Sequence, residues 1–292
     1  MRHSQASNDN GLSIRRHPSE DGNGGFSTGA ARTRRKATAF DFSHHRVENG
    51  RREFLVTIAG GIAGLAVGSL SARVLAQPAG GPPLNISTIG AGREGGALGA
   101  LFVKAGHRVM FSSRHPDTLK GFVDELGPLA RVGTVAEAVE FGDVVMVVVP
   151  YTAMEQIGRD YGNALAKKVL VIDVSNPIAR RDGAEIVKWV DDHGGAGLAT
   201  AKYLGPHVVR AFNAIGYAKL STDAHRQGEL VGVPIAGDDA HAIDIASSLI
   251  REIGFDPVVI GGLAMGKYLV PGTPLGGEHT AAEIRQIVTN LH

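Results

Sequence analysis

The chain has 292 residues, of which 43% are hydrophobic, 20% are charged, 40 are glycine and none is cysteine. This apolar fraction is too high for a disordered protein, and glycine without a regular period excludes a collagen-like chain. The lack of cysteine excludes disulfides, thiolate-bound zinc, iron–sulfur clusters and thiol nucleophiles. The net charge is +1, but the basic excess lies before residue 77. The rest of the chain is mildly acidic, which does not favour nucleic-acid binding.

Residues 1–76 are predicted to form a leader. Arg51 and Arg52 precede an apolar, glycine-diluted stretch from Phe54 to Leu70, and the small residue Ala76 follows. Adjacent arginines followed by Phe-Leu resemble a twin-arginine signal. We therefore expect export by the twin-arginine machinery to the periplasm, with cleavage near Ala76. A retained membrane anchor is the alternative, although this stretch is short for a bilayer span.

A linker rich in Ala, Gly and Pro occupies residues 77–83, and the folded domain is predicted over residues 84–292. The predicted strands are Leu84–Ile89, Arg108–Ser112, Val132–Val135, Asp143–Val149, Val169–Val174, His207–Phe212, Val231–Ala236 and Pro257–Ile260. The predicted helices run from Arg93 to Gly106 and over Pro116–Leu126, Asp239–Ile253 and Glu278–Leu291. This alternation predicts an α/β fold, a doubly wound and mainly parallel Rossmann-type sheet with a C-terminal α/β extension.

A glycine-rich loop joins the first predicted strand to the first predicted helix, with the sequence Gly90-Ala91-Gly92-Arg93-Glu94-Gly95. In this context Gly90 makes a tight turn, Gly92 lets a pyrophosphate approach the backbone, and Gly95 lets the helix pack on the strand. The helix N-terminus then holds the phosphates. The sequence therefore predicts a dinucleotide site, the alternative being a strand–helix turn without a ligand.

The end of the second predicted strand distinguishes NAD from NADP. An NAD site places Asp or Glu there to bind the ribose 2′-hydroxyl. Here the strand ends in Ser112-Ser113-Arg114, and the next carboxylate is Asp117. Because Ser113 can donate to a 2′-phosphate and Arg114 can bind it bidentately, the sequence predicts NADP(H).

Two other patterns bear on the chemistry of the chain. Gly261 to Lys267 is close to a phosphate-binding P-loop, but Tyr268 stands where Ser or Thr must ligate magnesium. We expect a loop that covers the hydride-transfer site, with Lys267 as an alternative general acid. The 12 histidines form no paired ligand spacing, so no metal site is expected.

Two polar pairs lie at predicted strand ends. Asp238 and Asp239 precede a helix and are expected to cap its free N–H groups. Asn176 and Pro177 follow the fifth predicted strand, on the ligand edge of the sheet. They indicate either a ligand contact or a simple Asn-Pro turn.

From Leu84 onward the chain resembles the NADP oxidoreductases that depend on the deazaflavin coenzyme F420, whose fold recurs in the NADPH-binding domain of membrane ferric reductases. The resemblance rests on six segments, which are residues 89–95, 112–114, 147–151, 172–177, 209–213 and 236–239. The region 261–272 departs from that family, so the pocket for the second substrate is expected to differ.

The resemblance implies a role for each matching residue. The phosphates would lie on the glycine loop, and the 2′-phosphate would meet Ser113 and Arg114. Val149 and Pro150 would lie beside the riboses, and Asn213 and Tyr217 would lie near the nicotinamide. Hydride would pass directly between two stacked rings, so no catalytic acid or base is required.

The expected function is hydride transfer between NADPH and a flavin-like or deazaflavin acceptor. One alternative is an NADPH-dependent reductase of ferric iron, or of a small carbonyl or imine with Lys267 or Tyr217 as the acid. Another is a protein that binds NADPH without turnover. The sequence neither requires nor excludes a homodimer.

Overall fold

The structure, a computed structural model, describes residues 82–291. The predicted leader and nearly all of the linker lie outside the described residues. Within residues 82–291, no helix combines the length and the apolar character needed to cross a membrane.

Eight strands of the described residues form one sheet. They are β1 (Asn85–Ile89), β2 (Arg108–Ser112), β3 (Ala130–Gly133), β4 (Val144–Val147), β5 (Leu170–Asp173), β6 (Val208–Arg210), β7 (Gly232–Gly237) and β8 (Asp256–Gly261). Their spatial order is β3-β2-β1-β4-β5-β6-β7-β8. The first six strands are parallel, β7 runs antiparallel to β6, and β8 runs parallel to β7. The predicted fold class, a mainly parallel Rossmann-type sheet with an extension, is confirmed.

Helices cover both faces of the sheet. They are α1 (Arg93–Lys104), α2 (Lys120–Leu126), α3 (Val135–Phe141), α4 (Met154–Leu165), α5 (Ala179–Asp182), α6 (Ala184–Asp192), α7 (Ala196–Leu204), α8 (Tyr217–Asp223), α9 (Ala240–Glu252) and α10 (Ala281–Thr289). Short 3₁₀ helices span Pro116–Leu119, Tyr151–Ala153 and Leu263–Leu269. Alternate residues of β4 enter opposite cores, Val144 and Met146 on one face and Val145 and Val147 on the other. This two-sided burial explains the continuous apolar run in the sequence.

Two predicted boundaries are wrong because of helix capping. The third strand ends at Gly133 rather than Val135, and the last helix begins at Ala281 rather than Glu278. Thr134 and Thr280 each cap the helix that follows, and a Glu three residues later bonds back to the threonine N–H. The Thr-x-x-Glu spacing is the sequence signature of this capping box.

Two strands end earlier than predicted, both at the edge where the glycine loop lies. β4 ends at Val147 instead of Val149, and β6 ends at Arg210 instead of Phe212. Phe212 has a φ of 65°, a left-handed conformation that interrupts pairing, although its side chain is buried. The chain turns away from the sheet at these points and lines the space above it.

The pair Asp238-Asp239 caps two different segments. Asp239 accepts hydrogen bonds from the N–H groups of His241 and Ala242 and caps α9, as predicted. Asp238 instead accepts from the Leu263 N–H at 2.9 Å, so its predicted role in the same helix is wrong. It holds the start of the 3₁₀ helix 263–269.

The segment 263–269 is packed into the fold. Leu263, Gly266 and Leu269 are buried, so the expectation of a loop over the site is wrong for these residues. A Cβ on Gly266 would lie 2.9 Å from the Gly197 Cα of α7. Small residues on both segments therefore permit this contact.

Replacing Gly197 with Ala tests that contact. An added Cβ would lie 2.0 Å from the Leu263 carbonyl oxygen, so Gly197→Ala should lower the free energy of unfolding by about 1–3 kcal/mol. Urea denaturation measures the change. Gly121→Ala is the matched control, because its Cβ meets nothing within 4 Å and Ala favours a helix by about 1 kcal/mol. Equal stability of Gly197→Ala and the wild type would contradict the packing argument.

Candidate functional site

A cleft of about 340 Å³ opens at the carboxyl edge of the parallel strands. It lies beside the point where the strand order reverses, between β1 and β4, which is where Rossmann-type sheets bind ligands. Of the residues predicted for the site, four line this cleft, namely Glu94, Val149, Pro150 and Asn213. The strand ends and the loops that follow them therefore bring residues distant in sequence to one place.

The glycine loop lies in close contact with the end of β4. Gly90 has a φ of +98°, and a Cβ there would lie 2.2 Å from the Val148 carbonyl oxygen. A Cβ on Gly95 would lie 2.3 Å from the Gly90 carbonyl oxygen. The Gly90 and Ala91 N–H groups both bond to the Ser112 carbonyl, at 3.1 and 2.9 Å, which ties the loop to the end of β2. Larger side chains at Gly90 and Gly95 would displace the loop.

Gly92 faces open space and has the features of a phosphate cradle. A Cβ at this position would meet nothing within 4 Å, and Gly92 caps α1 without a side-chain hydrogen bond. The first N–H groups of α1 therefore have no capping side chain within residues 82–291. Free N–H groups at the positive end of a helix are suited to an anion. The residues present thus fit a dinucleotide pyrophosphate.

The end of β2 carries a cation and a hydroxyl. Ser113 Oγ accepts the His115 N–H at 3.0 Å, so its own proton is available for donation. Arg114 is exposed, and no carboxylate of the described residues forms an ion pair with it. Asp117, the nearest carboxylate in sequence, pairs with Lys120 at 2.7 Å. The tip of β2 therefore presents an unneutralised guanidinium.

Glu94 places a carboxyl group in the cleft, one residue before Gly95. Burial raises the pKa of Glu94 to about 7, and the backbone N–H of Tyr217 opposes this rise. Glu94 Oε1 is buried and has no hydrogen-bond partner among the described residues. The side chain can therefore hold or release a proton near neutral pH.

Tyr217 reaches the glycine loop from α8. Its hydroxyl accepts a hydrogen bond from Arg93 Nη1 at 3.4 Å, and the Arg93 guanidinium carbon lies 5.5 Å from the ring centroid. Neither residue lines the cleft itself. Together they connect the first turn of α1 to the first turn of α8, next to Glu94.

A buried ion pair supports the opposite wall of the cleft. Arg210, at the end of β6, pairs with Asp173, at the end of β5, and both side chains are fully buried. Arg210 also donates to the Ser175 carbonyl at 3.1 Å and to Asn176 Oδ1 at 3.2 Å. Asn213 Nδ2 donates to the carbonyls of Asp173 and Ser175, at 3.1 and 3.2 Å. Desolvation raises the pKa of Asp173, which the charge of Arg210 opposes.

The network orients Asn213 and Asn176. Because both Nδ2 bonds of Asn213 point into the wall, its Oδ1 is left buried without a partner among the described residues. Asn176, whose side chain bonds to the Asn213 carbonyl at 2.8 Å, also lines the cleft. Of the two alternatives for Asn176 and Pro177, the cleft-lining position supports a ligand contact for Asn176.

The structure does not bring every candidate to the cleft. Ser113 and Arg114 lie beyond the glycine loop, on the β2 side of the sheet. Lys267 is exposed and is absent from the cleft lining. Burial raises the pKa of Tyr151 to about 12, and its hydroxyl lies 3.2 Å from the Thr200 hydroxyl. Tyr151 therefore stays neutral and internal.

Sequence analysis missed the Asp173–Arg210 pair and Arg181, which lines the cleft. A charged residue of each sign within two apolar strands was the available signal, since buried charges are paired. Arg181 gave no comparable signal in the sequence. In the structure it is held by Asp182 and by the Asn176 carbonyl. Residues 82–291 contain no cluster of three or more His, Asp or Glu suited to a metal ion.

Fold and site together define an α/β protein of the Rossmann dinucleotide-binding class. Residues 85–177 match the model of the family described as NADP oxidoreductase, coenzyme F420-dependent. This match covers about a third of the chain, and it agrees with the resemblance found in the sequence.

Known proteins extend the comparison. The chain is 29% identical over 185 residues to the metalloreductase STEAP3 of Rattus norvegicus, a match covering 61% of this chain and 34% of that protein. The chain thus spans about a third of the length of this curated relative.

Two solved structures share the fold. The hypothetical protein SMa0349 of Sinorhizobium meliloti has a TM-score of 0.53 and 24% identity, covering 68% of this chain and 95% of that one. A protein of Arthrobacter sp. FB24, given as an F420-dependent NADP reductase, has a TM-score of 0.51 and 16% identity, covering 63% and 87%.

The ionisation of Glu94 should change the free energy of unfolding with pH. The folded-state pKa of about 7 exceeds the ordinary 4.5, so the folded state holds a proton that the unfolded state has lost. Stability should therefore fall as the pH rises from about 4.5 to 7. Glu94→Gln should unfold like the wild type at pH 4 and be more stable at pH 8. We expect a gain on the order of 1–2 kcal/mol, since partial exposure reduces the full effect of the shift.

Urea denaturation at pH 4 and pH 8 measures this difference. Glu125→Gln, at an exposed position of α2, is the control and should show no such dependence on pH. A difference between Glu94→Gln and the wild type that is the same at both pH values would contradict the elevated pKa.

Proposed function

We propose that this protein is an NADP(H)-dependent oxidoreductase that transfers hydride between NADPH and a flavin-like or deazaflavin acceptor. The observation that carries the proposal is the open glycine loop at the switch point, tied through the Ser112 carbonyl to a strand tip bearing Arg114. The family match over residues 85–177 supports it.

Each part of the dinucleotide has residues suited to hold it. The N–H groups around Gly92 would bind the pyrophosphate, and Ser113 with Arg114 would bind the 2′-phosphate. Val149, Pro150 and Asn213, which line the cleft, would bound the nicotinamide half, and Tyr217 lies outside the lining, bonded to Arg93. When bound, the cofactor supplies the hydride, and the chain contributes position and exclusion of water.

The lining of the cleft supports a ring-shaped acceptor. Val149, Pro150, Ile215 and Pro271 give it apolar walls, against which a planar ring can pack. No general acid is needed for direct transfer between stacked rings. Lys267 lies outside the lining, and the Tyr217 hydroxyl is engaged by Arg93, which disfavours a carbonyl or imine reductase that uses either residue as its acid.

A ferric reductase is the second candidate, because the curated relative is named a metalloreductase. That relative is about three times as long as the matched segment, so its activity comes to this chain only as a proposal. Electrons would then pass through a bound flavin to an external ferric complex. A protein that binds NADPH without turnover is the non-catalytic alternative.

We also propose that the protein is exported to the periplasm by the twin-arginine machinery. The support is the pair Arg51-Arg52 before the apolar stretch and Ala76 after it. This route carries folded proteins, which suits an enzyme that acquires its cofactor beforehand. N-terminal sequencing of the protein recovered from the periplasm tests both the location and the cleavage.

Arg114 should select the phosphorylated cofactor. Removing a charge-assisted hydrogen bond costs about 1.5–3 kcal/mol, so Arg114→Ala should weaken NADPH binding about tenfold to a hundredfold and leave NADH binding unchanged. A fluorescence titration measures both affinities. Arg108→Ala is the matched control, because Arg108 is an exposed arginine at the start of β2 that bonds to Asn85. Unchanged NADPH affinity in Arg114→Ala would contradict the proposed 2′-phosphate site.

The acceptor can be identified by stopped-flow oxidation of NADPH. We expect rapid oxidation with a deazaflavin or a free flavin, and slow oxidation with imines and carbonyls. Oxidation by a ferric chelate only when flavin is present would favour the second candidate. Binding of NADPH with no oxidation by any acceptor would overturn the enzyme assignment.

A further inference from the structure

We propose that Glu94 is a proton-linked selector of the cofactor's oxidation state: the ionised carboxylate favours the oxidised, cationic nicotinamide and the protonated carboxyl favours the reduced, neutral one. This inference rests on the proposed function, because it requires NADP(H) in the cleft. It goes beyond that function in assigning a thermodynamic role to a residue of the glycine loop.

The positions of the β2 tip and of the cleft fix the direction in which a dinucleotide would lie. The Ser113–Arg114 tip is on the β2 side of the glycine loop, and the cleft is on the β4 side. A 2′-phosphate on Arg114 and a pyrophosphate at Gly92 leave the nicotinamide half to occupy the cleft. Glu94 lines that cleft, together with Val149 and Asn213. The carboxyl group therefore belongs to the nicotinamide side of the site.

Two buried oxygens of cleft-lining residues, Glu94 Oε1 and Asn213 Oδ1, have no hydrogen-bond partner among the described residues. The Asn213 side chain is itself only 6% exposed, and its Nδ2 is already bonded to the wall. Two acceptors favour a ligand that carries N–H groups or positive charge. The nicotinamide ring with its carboxamide has both in its oxidised form.

The charged groups around Glu94 are engaged with other residues. On its own helix, Arg93 is directed to the Tyr217 hydroxyl and ring. On α8, which packs against α1, Lys219 pairs with Asp223 and Glu278. None of the described cations forms an ion pair with Glu94. Its charge is therefore not neutralised by a partner in the fold.

The charges on the far side of the cleft are also paired. Arg181 lines it, but its guanidinium is bonded to Asp182 and to the Asn176 carbonyl. Arg210 and Asp173 neutralise each other behind the wall. The pKa of Glu94, raised by burial to about 7, places its ionisation in the range where a nearby cation can drive it.

The ionisation of Glu94 and the affinity for the charged nucleotide are thermodynamically linked. A positive charge within a few ångströms lowers the pKa of a carboxyl by about 1–3, and the same free energy strengthens binding of the cation to the ionised carboxylate. A neutral ring that further buries the carboxyl has the opposite effect. The ratio Kd(NADPH)/Kd(NADP⁺) should therefore rise with pH, by about tenfold or more between pH 5.5 and 8.5.

The experiment is a titration of both nucleotides into the full-length protein at pH 5.5, 7 and 8.5. The wild type should show the rise in the ratio, and Glu94→Gln should bind both nucleotides with a ratio that does not change with pH. Ionisation of the 2′-phosphate is common to both nucleotides and cancels in the ratio. Glu125→Gln, on the surface of α2, should behave as the wild type does.

A second measurement needs no variant. Calorimetric titration of the wild type at pH 7 in two buffers of different ionisation enthalpy should show proton uptake with NADPH and proton release with NADP⁺. A ratio that is constant in the wild type, or that rises equally in Glu94→Gln, would overturn this inference while leaving the proposed function intact. Failure of both nucleotides to bind the wild type would overturn the proposed function and this inference with it.

Discussion

The cleft depends on one fully buried ion pair, Arg210 with Asp173. Removing two charges from water costs several kcal/mol per ion, and good geometry with added hydrogen bonds is needed to offset it. Here the Ser175 carbonyl and Asn176 supply those bonds, and Asn213 closes the network. Because the residues of this network bond to one another, the loops after β5 and β6 form a continuous wall.

The other wall is fixed by close backbone contact rather than by charge. Gly90 and Gly95 leave no space for a Cβ against Val148 and Gly90 respectively, whereas Gly92 is open to solvent. The Ser112 carbonyl joins this loop to the tip of β2. The loop proposed to hold the phosphates and the strand tip proposed to select NADP are therefore held as one unit, and a change in either would alter the distance between them.

The class of fold, the order of its elements and four residues of the cleft lining could be predicted from sequence. Buried strands such as β4 and β5 carry continuous apolar runs. The spacing of the glycines in the loop is set by the local backbone geometry. The strand ends could not be predicted, because Phe212 adopts a left-handed backbone held only by tertiary packing. The Asp173–Arg210 pair and the destination of Asp238 were missed for the same reason. Each of these contacts joins segments about 25–37 residues apart, which no local pattern reports.

The lining of the cleft comes from two portions of the chain. Glu94, Val149 and Asn176 fall inside the segment 85–177 that matches the family, whereas Ala214, Gly216 and Pro271 fall outside it. Mutations in the later portion can reshape that part of the lining while Gly92 and Arg114, the residues proposed for the phosphates, stay unchanged. Under the proposed function, such change would alter the acceptor while NADPH remains the hydride donor. Differences in substrate among proteins of this kind should therefore map to sequence beyond residue 177.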